Sequence, residues 1–194
     1  VIAAASVVAC VSHQITREVD TAPKIRDAGE LGIETPHLEG PDQLDLAPLI
    51  AVNSAGFSFD REPIARNGLE PRLRTYRANF AVLHPGEPVP REVLLACSPS
   101  VSSDEIFSVL DTAWHLGFDR ARLVFEDART RPSSQVEERP HKLSAARVSL
   151  MAGVESDTPY IRSSQVQSCA DLCERVVNLR RQGQTVTVAV RAAR

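Results

Sequence analysis

No apolar run in this chain approaches the roughly 20 residues that a membrane-spanning helix needs, so the sequence as it stands holds no complete transmembrane helix. It also lacks any excess of basic charge. Against 22 Lys+Arg stand 25 Asp+Glu, for a net charge of -3, whereas nucleic-acid binding calls for a concentrated basic face. Aromatic residues make up only 5%, and Tyr76 and Trp114 stand alone as fillers of a core or interface rather than as a base-stacking platform. There is no Gly-rich phosphate loop, no nucleophile elbow and no HExxH motif. The five histidines (His13, His37, His84, His115 and His141) include no pair at ligand spacing. What is present is 43% hydrophobic residues over 194 positions. That is enough for a real core, and with so low a net charge it excludes wholesale disorder.

The opening VIAAASVVAC is small, apolar and uncharged, as in the hydrophobic part of a secretory signal. Val7-Val8-Ala9-Cys10 resembles a bacterial lipobox, which makes Cys10 a candidate lipidation site. An anchor-helix remnant over residues 1–12 is the competing expectation, and either reading puts the rest outside the cytoplasm. Four cysteines are too few for a disulfide framework at this length. With Cys10 set aside, Cys97, Cys169 and Cys173 remain, an odd number. Cys169 and Cys173 share one face of a helical stretch and read as buried small hydrophobes. No companion ligands give them zinc-like spacing, so no metal is expected.

Residues 13–45 are broken by Ala22-Pro23, Thr35-Pro36 and Gly40-Pro41 and read as a tether. Leu49-Ile50-Ala51-Val52 and Phe57-Ser58-Phe59 flank Asn53-Ser54-Ala55-Gly56, which predicts a hairpin. A helix is expected from Leu69 to Phe80, with Pro71 tolerated in its first turn. The continuous apolar run Val93 to Cys97 suits a buried central strand. Ser102 and Glu105 form a capping-box pattern ahead of Ile106, Val109, Leu110 and Ala113, and Gly117 sits where a left-handed cap belongs. Leu123-Val124-Phe125 reads as a strand. Residues 128–145 are charged and Pro/Ser-containing, and read as a linker. Beyond them, Val148–Met151 and Pro159–Ile161 are strand-like and Val166 to Arg181 is helical up to Gly183. Val186 to Val190 alternates with period two, as a half-buried strand does.

Strand pair, helix, strand thus occurs twice, over residues 48–97 and 146–192. The expectation is an α+β fold: a small mixed sheet packed by two helices, with a second partial repeat of the same strand-strand-helix-strand order. None of its polar groups demands chemistry. Ser54-Ala55-Gly56-Phe57-Ser58 lies in a turn. Asp104 and Glu105 meet the positive end of a helix dipole, with Asp111 further along and His115 at the negative end. No catalytic, cofactor-binding or metal-ligating residue is expected.

The stretch Val93 to Phe125 resembles the periplasmic domain of the ExbD/TolR family of biopolymer-transport proteins. Ala96, Val101, Ile106, Val109-Leu110-Asp111 and Gly117 fall where that family has a strand ending in Ala, a polar turn with Val, a Val-Met-Asp helix and a closing Gly. The hairpin Leu49 to Asp60 resembles the family's opening strands. The likeness covers 46–127, with a second, partial one over 146–194. It implies a small α+β domain in the bacterial cell envelope, periplasmic and membrane-tethered, usually a homodimer. Its implied partners are an ExbB/TolQ-like channel protein and a TonB/TolA-like protein. Cys97 replaces the family's usual Asp, Ser103 stands where an aromatic is common, and VIAAASVVAC has none of the carboxylates that couple proton flow. The resemblance therefore implies protein binding by a non-catalytic domain, not motor function. Its alternative is a periplasmic lipoprotein with a structural or peptidoglycan-associated role. Val186, Val188 and Val190, on the last strand, are the candidate partner or dimer interface, as an exposed edge able to pair with another strand.

Overall fold

A computed structural model describes residues 31, 33–42, 47–126, 142–152 and 160–191. The expected hairpin is there: β1 (Leu49–Asn53) pairs antiparallel with β2 (Gly56–Phe59). Asn53 builds its turn, its Oδ1 accepting from the N–H groups of Ala55 at 2.8 Å and Gly56 at 3.0 Å, the side-chain mimicry that suits Asn to turns. Gly56 follows at φ 145, a conformation that a side chain disfavours. A second tight hairpin leads to β3 (Glu62–Ile64) through Asp60 and Arg61, both at positive φ. Pro63 in this short edge strand lacks the N–H that a further strand would use.

A 3-10 turn at Arg66–Gly68 opens into α1 (Leu69–Leu83), which carries Pro71 in its first turn and buries Leu69 and Leu73. β4 (Glu92–Cys97) is buried along its whole length, as its unbroken apolar run foretells. In α2 (Ser103–His115), Ser102 caps the start by accepting from the Glu105 N–H. Only half of the expected capping box forms, because the Glu105 carboxylate turns away to pair with Arg66. Gly117 closes the turn at φ 86. After β5 (Arg120–Glu126) come β6 (Leu143–Ala152), β7 (Tyr160–Ile161), α3 (Cys169–Arg181) and β8 (Thr187–Arg191). Ser168 caps α3 by accepting from the Asp171 N–H, and Gly183 ends it at φ 77. No described helix is long and apolar enough to cross a membrane.

The fold is α+β: the described residues form one eight-stranded mixed sheet in the order β3-β2-β1-β4-β5-β6-β8-β7. β1, β4 and β5 are mutually parallel, β6 runs antiparallel to β5, and β8 and β7 follow β6 in parallel. Among the described residues three helices pack on it, the two expected of the first unit and the one of the second. The order strand, strand, helix, strand does recur after residue 142, but its pairing differs from the first copy. β6 and β7 form no hairpin, because β8 lies between them. The closer likeness is between β4-α2-β5 and β7-α3-β8. Each is a parallel strand–helix–strand unit with a serine cap and a closing glycine.

These halves interlock. α2 packs against β8 and β6 of the second half and against α3, whereas α3 packs on β6 of its own half, so α2 is the helix that spans the two. The span expected as a linker ends earlier than its composition suggests, since Leu143–Ala145 already pair with β5. On the helix-bearing face, Ile50, Val52, Leu95, Leu123, Phe125, Val148 and Val188 join helix residues in the main core. The alternate residues Leu49, Ala51, Leu94, Ala96 and Val124 form a smaller cluster on the opposite face with Leu31.

Part of the stretch read as a tether is therefore structural. Leu31 is buried in the second cluster and Ile33 packs against it. Residues 35–42 then strap the end of the sheet. Leu38 donates its N–H to Glu126 O at 2.9 Å, and Asp42 exchanges backbone hydrogen bonds with Ala145. Between them Gly40 donates to Ser144 Oγ, which in turn donates to Leu38 O. A Cβ on Gly40 would lie 2.3 Å from the Ala145 carbonyl oxygen. Composition marked this stretch as irregular, but its backbone groups are satisfied by residues about a hundred positions away.

Candidate functional site

The side chains singled out as candidate interface are turned into the protein. Val186, Val188 and Val190 are buried in the main core. β8 is an inner strand at Thr187 and Val188, with β6 on one side and β7 on the other. Their even spacing reports a face turned into the protein. Cys10 lies outside the described residues.

The feature with most chemical content is the junction where the two halves meet. The loop leaving β4 and the loop entering α3 lie side by side, bridged at Ser102 and Ser168. Helix starts leave backbone N–H groups without intrahelical partners, and here each start serves the other. Ser103 donates to Gln167 O at 3.1 Å, Cys169 to Val101 O at 2.9 Å and Ala170 to Pro99 O at 3.2 Å. Those donors are consequently spent within the protein, and the paired helix ends are not an open anion cradle.

A disulfide between Cys97 and Cys169 crosses this junction, with Cα atoms 6.2 Å apart, inside the ordinary disulfide range. This corrects the expectation that Cys169 serves only as a buried hydrophobe. Cys97 ends β4 and Cys169 begins α3, so the bond ties the first half to the second. Cys173, one turn further along α3, keeps a free thiol. Its Sγ lies 3.8 Å from that of Cys169. All three cysteines are fully buried, with their sulfurs within 4.8 Å of one another. Burial, with Glu174 adding to it, pushes the Cys173 thiol up to about 12. A site so reluctant to ionise is poorly suited to a metal, which binds thiolate rather than thiol. Helical spacing placed Cys169 and Cys173 on one face. Only the long-range pairing of the loops brings Cys97 to them.

A second polar cluster lies on the sheet face opposite the helices. Glu92 Oε2 pairs with Arg122 Nε at 3.0 Å and its Oε1 with Arg147 Nε at 2.8 Å. Arg122 is only 3% exposed and Glu92 12%, whereas Arg147 is 43% exposed. Nearby, Asp42 accepts from the Arg147 backbone N–H at 2.7 Å and pairs with Arg180 of α3 at 3.1 Å. One carboxylate on two guanidiniums, largely out of water, is a structural brace whose members depend on each other.

Elsewhere, Asp60 at the β2–β3 turn accepts from the Leu49 N–H at 2.9 Å. Burial raises its carboxyl above the usual range; the Leu49 N–H opposes this and Glu62 adds to it. Tyr76 is pushed up to about 12 by burial and by the nearby Asp60 charge. His115, at the C-terminal end of α2, has its Nδ1 2.7 Å from the Asp111 carbonyl oxygen, a local helix-end contact. Compared with known proteins, the chain matches no family model, no curated protein and no solved structure.

Proposed function

We propose that this chain is the extracytoplasmic domain of an ExbD/TolR-like biopolymer-transport component and acts without catalysis, by binding other proteins. The observation that carries this reading is the structural role of the residues behind the resemblance. Ala96 is buried in β4, and Val101 is buried in the turn before α2. Ile106, Val109 and Leu110 form the buried face of α2, and Gly117 adopts the left-handed conformation at its end. They build one β4-α2-β5 unit, beside a hairpin whose first strand runs parallel to β4. The Cys97–Cys169 bond supports an oxidising compartment, since structural disulfides are rare where thiols are kept reduced. It also gives the departure from the family's Asp at this position a purpose.

On this reading the partners are an ExbB/TolQ-like channel protein, a TonB/TolA-like protein and a second copy of the chain. The valines of β8 are not the contact surface, so binding falls to outward-facing groups. A second reading, a periplasmic lipoprotein with a structural or peptidoglycan-associated role, is favoured by Val7-Val8-Ala9-Cys10. Mild-detergent extraction of the native full-length protein, followed by identification of what co-purifies, separates the two. A polytopic channel protein supports the transport reading. A diacylated Cys10 with no channel protein supports the lipoprotein and rejects the first proposal.

A further inference from the structure

Three buried sulfurs lie together at the junction of the halves, and only two of them are bonded. We propose that Cys97, Cys169 and Cys173 form an internal thiol–disulfide exchange site, in which Cys173 attacks Cys169 and moves the cross-link from the β4–α3 junction into α3 itself.

The step needs no outside reactant. Cys173 Sγ gives up its proton and forms a bond to Cys169 Sγ. The Cys169–Cys97 bond breaks, and its electron pair leaves on Cys97 Sγ, which takes up a proton. One disulfide and one thiol remain, so nothing is oxidised or reduced overall. The attacking sulfur already sits 3.8 Å from its target. Helix geometry places residues four apart on one face with Cβ atoms about 5–6 Å apart, wider than the roughly 3.5–4.5 Å of a disulfide, so the new bond must draw the first turn of α3 tighter.

The two isomers differ in what they tie together. The bond to Cys97 closes a separation of 72 residues and staples β4 to α3. The bond to Cys173 closes one helical turn and leaves the junction held by backbone hydrogen bonds and packing alone. Exchange is thus an unlatching of the two halves that costs no reducing equivalents. Attack requires the thiolate, and burial holds Cys173 protonated, so the resting protein keeps the latch closed.

Tryptic mapping reads the two isomers apart, because residues 163–175 form one peptide containing both Cys169 and Cys173, while Cys97 lies in the peptide 92–120. The folded full chain is held at mildly alkaline pH, quenched in acid, and alkylated under acidic denaturing conditions before digestion. The expected result is a time-dependent loss of the cross-linked pair, with matching gains of internally bonded 163–175 and of 92–120 alkylated at Cys97. A Cys173→Ser chain should keep the cross-linked pair throughout. Persistence of the cross-linked pair alone in the unaltered chain, even after prolonged incubation, overturns the proposal. Independently, Cys97→Ser purified under air should carry the Cys169–Cys173 bond. Two free thiols there would also overturn it.

Discussion

Cys97 and Cys169 join the last residue of β4 to the first residue of α3, and in doing so tie the half of the sheet that holds β4 to the half built from β6, β8 and β7. The same junction is sewn by backbone hydrogen bonds between the two helix starts. α2 lies over β6 and β8 of the second half, so the halves are expected to unfold as one cooperative unit. Closing a loop with a separation of 72 residues removes chain entropy from the unfolded state worth about 4 kcal/mol. Replacing both residues, Cys97→Ala with Cys169→Ala, should therefore lower stability in urea by about 3–4 kcal/mol with a single transition. Two separate transitions would show that the halves are independent.

The Glu92 brace makes an asymmetric prediction. Glu92→Ala leaves the buried Arg122 guanidinium without its carboxylate and should cost about 3 kcal/mol. Arg147→Ala removes the exposed partner while Glu92 keeps Arg122, and should cost less than about 1 kcal/mol. Equal losses in denaturant titrations would contradict the brace.

Gly40→Ala tests the strap. The added methyl would meet the Ala145 carbonyl and the Phe125 ring at 2.3 and 2.4 Å, contacts that only displacement of the strap can relieve. A loss on the order of 2 kcal/mol is expected. Hydrogen exchange should accelerate at the Leu38 and Asp42 amides, which donate to Glu126 and Ala145. Unchanged protection at both amides would mean that the strap does not depend on this close approach.

Asp60 gives a pH dependence with a definite sign. Its folded-state value is raised above 3.8, chiefly by burial, so the folded protein holds this proton more tightly than the unfolded chain does. Its stabilising contribution is fully present below the unfolded value and is lost as pH rises through the folded one. Asp60→Asn keeps an oxygen for the Leu49 N–H and removes the titration. The variant's stability relative to the parent should accordingly increase from acid toward neutral pH. A constant difference across that range would show that Asp60 titrates normally.

Much of the architecture is legible in the residues themselves. Ser102, the spacing from Ile106 to Ala113 and Gly117 define α2 with no tertiary information, because capping and amphipathic period are local. The Asn53 turn and the apolar run of β4 are local in the same sense. What escapes depends on partners far along the chain. β7 pairs with β8 rather than with the strand before it, which makes the expected edge an inner strand at Thr187 and Val188. The strap around Gly40 reads as a tether because its hydrogen bonds go to Glu126, Ser144 and Ala145. The site at Cys97 is the sharpest case: helical spacing pairs Cys169 with Cys173, and only the folded junction brings the third sulfur between the halves.

The most direct test of an extracytoplasmic, disulfide-latched binding domain is the thiol state of the full-length protein in its own cells. Cells would be acid-quenched, the chain alkylated under denaturing conditions, and its cysteines mapped. The account predicts one disulfide per chain among Cys97, Cys169 and Cys173, with the third residue alkylated. Three alkylated thiols in freshly quenched cells would contradict it, placing the chain in a reducing compartment and removing the latch.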